Sequence, residues 1–398
     1  MRTMRTTHTT THMKLLTHPL WLVGFRPFFG LACLAGLALP VLWILLFAGM
    51  ISAPGISFSI IQWHAHEMFF GFGWAILGGF LLTATKNWVS IRGYHGGALL
   101  FLVAAWLFER AGMWCEGVWP ALLFRISNNL FLLSIVAMLV WTLIRHRRDD
   151  SYRDNYFFVL ILPLFLVAKN LMLVADYQQI GWSMALGLFR VAFLVMLERT
   201  LTQFMKSQFQ VSILRNPILD KAIKSIAVLL IFESLLPSAL SSWLALLLAV
   251  LLVVRLAFWK PGLALQRLEL GIMYLGYAAL IAQLLMPMAS QLLQPAWVGS
   301  VSVHIFSFGV MGLIIPAMVV RIAKGHTGRK VAFDRGDKTL LWVMMLALFA
   351  RVIMPQADPS GYMFWLAVSA ACWFVCFLTL ALRYVPYLWQ ARIDGKTH

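Results

Sequence analysis

The chain has 398 residues, of which 61% are hydrophobic and 12% are charged, and its formal net charge is +17. A soluble protein carries about 25% charged residues, so this composition excludes a soluble globular protein and indicates an integral membrane protein. The basic residues fall in short segments between apolar runs, where membrane topology explains them, and nucleic acid is therefore excluded as a partner.

Apolar runs follow one another along the whole chain, each long enough to cross a bilayer. They predict an all-α polytopic transmembrane helix bundle of about 12 spans. The predicted organisation is an N-terminal tail at 1–19, a single transmembrane domain at 20–389 and a C-terminal tail at 390–398. The runs are 20–49, 61–85, 97–115, 119–144, 155–176, 180–205, 222–240, 241–259, 269–292, 298–323, 338–356 and 361–389.

Most of the basic residues outside these runs lie on every second connection. The segments 145–153 and 321–338 are rich in Lys and Arg, whereas 51–60, 116–118 and 357–360 contain none. Because Lys and Arg concentrate in cytoplasmic loops, this alternation predicts an even number of spans with both termini cytoplasmic.

Several ionisable residues interrupt the apolar runs, and such groups are kept in a membrane for a purpose. Neighbours could neutralise each other, as in the pairs Glu109 with Arg110 and Glu198 with Arg199. Basic groups outnumber acidic ones, however, which favours an anionic partner such as haem propionates held by forked guanidinium donors. Lys224, Arg255, Arg321, Lys338 and Arg383 are counted with the connections near them. The other basic residues within spans are Arg26, Arg110, Arg125, Lys169, Arg190, Arg199 and Arg351, and the acidic ones are Glu67, Glu109, Glu198 and Glu233.

The second run begins with a polar stretch, Trp63 to Met68, which the topology places near the outer face. α-Helical spacing puts His64 on one face together with Glu67, and puts His66 on another face. Small residues continue the His64 face at Gly71, Ala75 and Gly78 or Gly79. This stripe indicates close helix packing, room for a flat ring, or both.

His304 lies in the tenth run, about as deep from the outer edge as His64 and His66. Three histidines at one depth favour a shared metal site over separate hydrogen-bonding roles, and neutral imidazole suits iron and copper. Glu67 is the candidate catalytic residue, since it could orient a ligand imidazole or relay protons.

His326 follows the tenth run on the opposite side of the predicted membrane. It could cap the end of that helix, where a cation is favoured. It could also face a second, inner site together with Arg26. The predicted cofactor- or anion-binding residues are therefore Arg26, Arg110, Arg125, Arg190, Arg351 and His326.

Short motifs distributed along the chain resemble those of the NnrS family. They are GFRPFF at 24–29, WHAHEMFFGF at 63–72, GGFLLTATKNW at 78–88, RDNYFF at 153–158, LGYA at 275–278 and GHTGR at 325–329. The resemblance implies a bacterial inner-membrane protein of about twelve spans that contains haem, expected to be b-type, and copper. It further implies nitric oxide or a related small molecule as ligand, and an electron donor as a possible partner besides the lipid bilayer. Tyr274 stands where such sequences often have histidine.

Together these features predict a haem- and copper-binding membrane protein in nitric oxide metabolism or nitrosative stress protection. Whether it turns over nitric oxide as an enzyme stays open. One alternative is a secondary transporter of a small anion or metal complex, with Lys169, Arg190 and Glu233 as substrate or proton groups. Another is a non-catalytic protein that handles or senses haem or copper.

Overall fold

A computed structural model describes residues 17–151 and 155–396, so most of the predicted N-terminal tail lies outside the described residues. The described part is helical and contains no β-strand. Long apolar segments form helices because a helix satisfies every backbone polar group within the segment itself. The helices are α1 Phe25–Phe47, α2 Ile60–Trp88, α3 Gly97–Trp114, α4 Ala121–Arg145, α5 Tyr156–Met172, α6 Gln178–Phe209, α7 Pro217–Leu229, α8 Ser238–Phe258, α9 Leu268–Leu293, α10 Val301–Gly325, α11 Arg335–Ala357 and α12 Tyr362–Trp389.

Within the described residues, 10 helices are long and apolar enough to cross a membrane. The predicted all-α membrane bundle is therefore confirmed, and the chain is a multi-pass membrane protein. The other two predicted runs form the shorter helices α5 and α7. Helix α7 continues only as a 3-10 turn, Leu230–Leu235, in which Phe232 has a non-helical backbone. The count of twelve spans and the cytoplasmic position of both termini stay predictions.

Residue packing divides the chain into two compact units. Unit 1 contains the described residues up to Leu166, together with Val319–Ala332 and the chain from Phe377 onwards. Unit 2 contains Val167–Met318 and Phe333–Cys376. Each unit contains some of the residues that the sequence singles out. The prediction of one transmembrane domain over 20–389 stays a prediction.

In the described residues, three helices contain a π-helical segment, which is a rare geometry that is frequent at functional sites. The segments are Glu67–Gly73 in α2, Ile305–Gly312 in α10 and Phe349–Ile353 in α11. In α2 and α10 the segment follows a histidine directly. The two helices share the pattern His-x-x-x-Phe-Gly at this point, as HEMFFG at 66–71 and HIFSFG at 304–309.

The stripe of small residues on α2 allows close helix packing in unit 1. A Cβ atom at Gly79 would lie 2.8 Å from Cβ of Phe28, and one at Gly78 would lie 2.7 Å from a methyl carbon of Ile135. Both positions are filled by side chains from other helices. Of the two interpretations of the stripe, the structure therefore supports helix packing at these positions.

Candidate functional site

His66, in the first turns of α2, is buried, and both nitrogens of its ring lie close to oxygen atoms of other side chains. Nδ1 of His66 lies 3.2 Å from Oε1 of Glu67, and Nε2 lies 3.2 Å from Oδ1 of Asn128 on α4. Nε2 is also 3.9 Å from Oε1 of Glu109 on α3. His66 and Glu109 are fully buried. Both ring nitrogens of His66 therefore face oxygen atoms.

A guanidinium group joins the two carboxylates of this region. Nε of Arg110 lies 3.3 Å from Oε2 of Glu67, and its Nη2 contacts Oε1 of Glu109. The predicted pairing of Glu109 with Arg110 is confirmed. We call His66, Glu67, Glu109, Arg110 and Asn128 the α2 network.

The π-helical segment of α2 helps to hold Arg110 in place. The carbonyl oxygen of Gly71 accepts a hydrogen bond of 3.1 Å from Nε1 of Trp106, and Arg110 lies over the Trp106 ring at 5.3 Å. A side chain at Gly71 would collide with the guanidinium group. Gly71 therefore gives Arg110 the space to reach Glu67.

The sequence assigned His66 and Glu67 to different helix faces, and the structure shows that their side chains are nevertheless in contact. α-Helical spacing assumed a regular helix, whereas the π-helical segment begins at Glu67 and changes the spacing from that residue onwards. Oε1 of Glu67 lies 3.2 Å from Nδ1 of the neighbouring His66. His64 stacks on Trp43 of α1, with ring centroids 4.3 Å apart and an interplanar angle of 29°.

In unit 2, His304 has well-defined partners at both nitrogens. Nδ1 lies 2.7 Å from the carbonyl oxygen of Ser300, and Nε2 lies 3.1 Å from Nη2 of Arg351 on α11. Because a carbonyl oxygen only accepts, Nδ1 carries the hydrogen, and Nε2 is the lone-pair nitrogen that accepts from Arg351. Arg351 also lies 5.8 Å from the ring of Tyr362.

The predicted metal ligands belong to different units. His64 and His66 lie in unit 1, and His304 lies in unit 2. Among the described residues, no group of three or more His, Cys, Asp or Glu side chains has a geometry that could hold a metal ion. The shared site of three histidines stays a prediction.

Two other predicted anion-binding arginines have different environments. Arg190 is buried, and both of its terminal nitrogens lie 3.5 Å from Oε2 of Glu233 in unit 2. Arg125 is exposed near the start of α4 in unit 1. Arg190 therefore has an acidic partner in the protein, whereas Arg125 lies outside the buried core.

A family model described as NnrS protein matches residues 19–392, which is nearly the whole chain. The chain belongs to the NnrS family. A search of curated proteins finds no significant match.

This NnrS chain contains a second buried ion cluster, in unit 2, that its sequence did not predict. Glu198 of α6 is buried and contacts Arg215, lies 3.2 Å from Nζ of Lys224, and lies 3.5 Å from Nη1 of Arg255. Arg255 had been assigned to a connection, but it is buried in the last turn of α8 and donates to the hydroxyl of Tyr277 at 2.9 Å. The sequence offered Arg199 as a possible partner of Glu198, and that pairing stays a prediction; the partners described here are Arg215, Lys224 and Arg255.

Asn128 and Tyr274 are two further residues that the sequence distinguishes. Asn128 lies in a polar triplet, Ser127-Asn128-Asn129, within an otherwise apolar helix, and this triplet was the available signal for the α2 network. Tyr274, where the family resemblance led us to expect histidine, is buried and donates to the carbonyl oxygen of Trp259 at 2.8 Å. Tyr274 therefore has a structural hydrogen bond in this chain.

His326, just beyond α10, lies among positive charges in unit 1. Its ring lies 5.2 Å from that of Phe25, and Arg392 donates to its carbonyl oxygen at 3.2 Å. Burial, together with the charges of Arg392, Lys86 and Arg26, lowers the pKa of His326 from 6.5 to about 4. His326 is therefore neutral at pH 7.

This depressed pKa predicts a loss of stability in mild acid. The unfolded chain takes up the proton at pH 6.5, whereas folded His326 resists it down to about pH 4, so stability is complete above pH 6.5 and falls as the pH drops between these values. At pH 5 the expected loss is on the order of 2 kcal/mol. Melting temperatures of the purified protein between pH 7.5 and 5 measure it.

Two variants serve as controls for the acid effect. His326→Gln should show a flatter pH dependence than the wild type. His95→Gln, which changes an exposed loop histidine, should keep the wild-type dependence. An unchanged pH profile in His326→Gln would contradict the assignment to His326.

Proposed function

We propose that this NnrS-family protein binds haem and copper in the bacterial cytoplasmic membrane and acts in nitric oxide metabolism or nitrosative stress protection. Family membership over residues 19–392 supports a role related to nitric oxide. Haem iron, when present, binds nitric oxide directly, and nitric oxide is small and apolar enough to arrive through the bilayer.

His304 is the observation that carries this proposal, because its donor chemistry fits a metal ligand. Histidines that bind metals usually donate their other ring N–H to a carbonyl or carboxylate, which fixes the tautomer. In His304, Nδ1 is bonded to the Ser300 carbonyl oxygen, so the lone pair is on Nε2. Arg351, which contacts Nε2, would then be available to pair with a propionate or another anion.

His66 does not fit a ligand role, although the sequence suggested one. Its two nitrogens lie 3.2 Å from oxygen atoms of Glu67 and Asn128, so a metal could approach neither nitrogen without displacing one of these side chains. In this proposal His66 and Glu67 hold and move a proton, and His64 is the remaining candidate ligand in unit 1. Arg110 contacts both carboxylates of the α2 network and balances one of their two negative charges.

The absorption spectrum and metal content of the purified protein test the proposal. We expect a Soret band in the wild type and its loss, or at least a tenfold decrease in bound haem, in His304→Ala. His66→Gln should keep the band, because His66 is assigned to proton transfer. His95→Ala is the matched control, since His95 is an exposed loop histidine. A folded wild-type protein without colour or metal would overturn the proposal.

A secondary carrier is the second candidate, favoured by the matched interruptions of α2 and α10. Both helices change to π-helical geometry directly after a histidine, and carriers often have interrupted helices at corresponding positions. In proteoliposomes, nitrite can serve as the small-anion probe. Uptake that depends on the protein and is lost in Arg190→Gln would favour a carrier. Uptake equal to that of empty vesicles would exclude nitrite transport.

A further inference from the structure

Four cations from separate parts of unit 1 surround His326. They are Arg26 at the start of α1, Lys86 near the end of α2, Arg329 in the turn after α10, and Arg392 after α12. We call these four residues the basic cluster. Their association depends on the fold, because they are far apart in the sequence.

Hydrogen bonds to shared neighbours connect the three arginines of the basic cluster, whereas Lys86 interacts with it through charge. Arg26 donates to the carbonyl oxygen of Gln390 at 2.6 Å, and Arg329 donates to the side-chain oxygen of the same glutamine at 2.6 Å. Arg392 donates to the carbonyl oxygen of His326 at 3.2 Å, and the His326 ring contacts Phe25, next to Arg26. The positions of these cations are therefore defined by neutral groups that they share.

The contacts of Arg329 and Lys86 do not neutralise their positive charge. Arg329 binds the hydroxyl of Thr327 and the amide oxygen of Gln390, and lies 3.8 Å from the ring centroid of Tyr387. Lys86 is half-buried, and its ammonium group makes no hydrogen bond or ion pair with any residue that the structure describes. Like charges held together in a partly buried site repel one another, so an anion between them is stabilised.

The carboxylate of Asp394 contacts one member of the basic cluster. Nε of Arg392 donates a hydrogen bond of 2.9 Å to Oδ1 of Asp394. The hydrogen bonds and charge of Arg392 lower the pKa of Asp394 to about 2, so Asp394 is ionised at neutral pH. Within the part of the chain that the structure describes, four cations and the one carboxylate of Asp394 leave the basic cluster with excess positive charge. Neutral His326 adds a hydrogen-bonding ring without adding charge.

The tryptophans near the basic cluster are typical of the depth at which lipid headgroups lie. Trp88 ends α2 two residues after Lys86, and Trp389 ends α12 three residues before Arg392. Tryptophan and tyrosine collect at membrane–water interfaces, and basic pockets at helix ends bind lipid headgroups. Several guanidinium groups from different directions suit a tetrahedral anion with several oxygens.

We propose that the basic cluster binds a phosphate group. Its source is either the phosphodiester of an anionic phospholipid or free phosphate, since both present the same oxygens to Arg26, Lys86 and Arg329. This binding is independent of haem or copper at the histidines.

Melting temperatures in nanodiscs and in detergent test the proposal and identify the source. The lipid arm compares phosphatidylglycerol with phosphatidylcholine, and the free-ion arm titrates inorganic phosphate against chloride at equal ionic strength. Lys86→Gln should bind the effective probe about fivefold more weakly, a factor that corresponds to about 1 kcal/mol for one cation. Lys221→Gln, which changes an exposed lysine of α7, should keep wild-type binding.

The melting temperature of Lys86→Gln without the probe separates a binding role of Lys86 from a purely structural one. Because Lys86 only repels its neighbours, Lys86→Gln without the probe should melt at the same temperature as the wild type or higher. Arg329→Gln is the second variant and should weaken binding by at least as much. The proposal is overturned if neither probe stabilises the wild type above its control, or if both variants keep wild-type affinity.

Discussion

Replacing Arg110 with methionine should cost about 3–5 kcal/mol of stability, the usual effect of removing one partner from a buried ion pair. Arg110 is the cation that contacts both Glu67 and Glu109, and the two carboxylates are 2% and 0% exposed. Without the guanidinium group, two carboxylates would share a membrane interior with too little compensation. Methionine keeps the length of the side chain, so the loss reports on charge rather than volume.

Unfolding in mixed micelles with increasing SDS measures the effect of Arg110→Met. Arg125→Met is the matched control, because Arg125 belongs to the same unit but is exposed, and its loss should be below about 0.5 kcal/mol. Adding Glu109→Gln to Arg110→Met should recover much of the loss, since it removes one of the uncompensated charges. Equal stability of Arg110→Met and Arg125→Met would contradict this account of the α2 network.

Replacing Glu198 with glutamine should cost about 3 kcal/mol, the second-largest effect that we expect. Glu198 is 1% exposed and lies 3.5 Å from Arg255, which is 2% exposed. Removing the carboxylate leaves Arg255 with Asp220, at 3.4 Å, as its remaining acidic partner. The loss is therefore at the lower end of the range for broken buried pairs.

A double-mutant cycle separates the interaction of Glu198 with Arg255 from other effects. The loss in Glu198→Gln with Arg255→Met together should be smaller than the sum of the two single losses, by about 1–3 kcal/mol. Asp149→Asn is the control, because Asp149 is 68% exposed and its replacement should have little effect. Additive losses would show that the two residues do not interact.

The helices could be predicted from the sequence because the bilayer requires a continuous apolar segment with internally bonded backbone. The pairing of Glu109 with Arg110 was predictable for a related reason, since intramembrane charges often pair with one another. The shortness of α5 and α7 was not evident, because hydropathy does not show where helical geometry ends. The non-helical backbone at Phe232 has no signal in the apolar pattern.

The contact of His66 with Glu67 could not be predicted, because the π-helical segment leaves no mark on hydrophobicity. Regular helical spacing separated the two residues, and the structure brings them to 3.2 Å. The contact of His304 with Arg351 could not be predicted either, since it depends on how α11 packs beside α10 within unit 2. Residues on different helices meet through packing, which a single sequence does not specify.

The α2 network also determines a proton count. Glu67 and Glu109 contribute two negative charges and Arg110 one positive charge, so the network has a net negative charge when His66 is neutral. A net charge is costly in the bilayer interior, and one added proton removes it. Both nitrogens of His66 face oxygen atoms, those of Glu67 and Asn128. The formal charges of the network therefore leave room for one further positive charge, whether it is a proton or a cation that enters beside it.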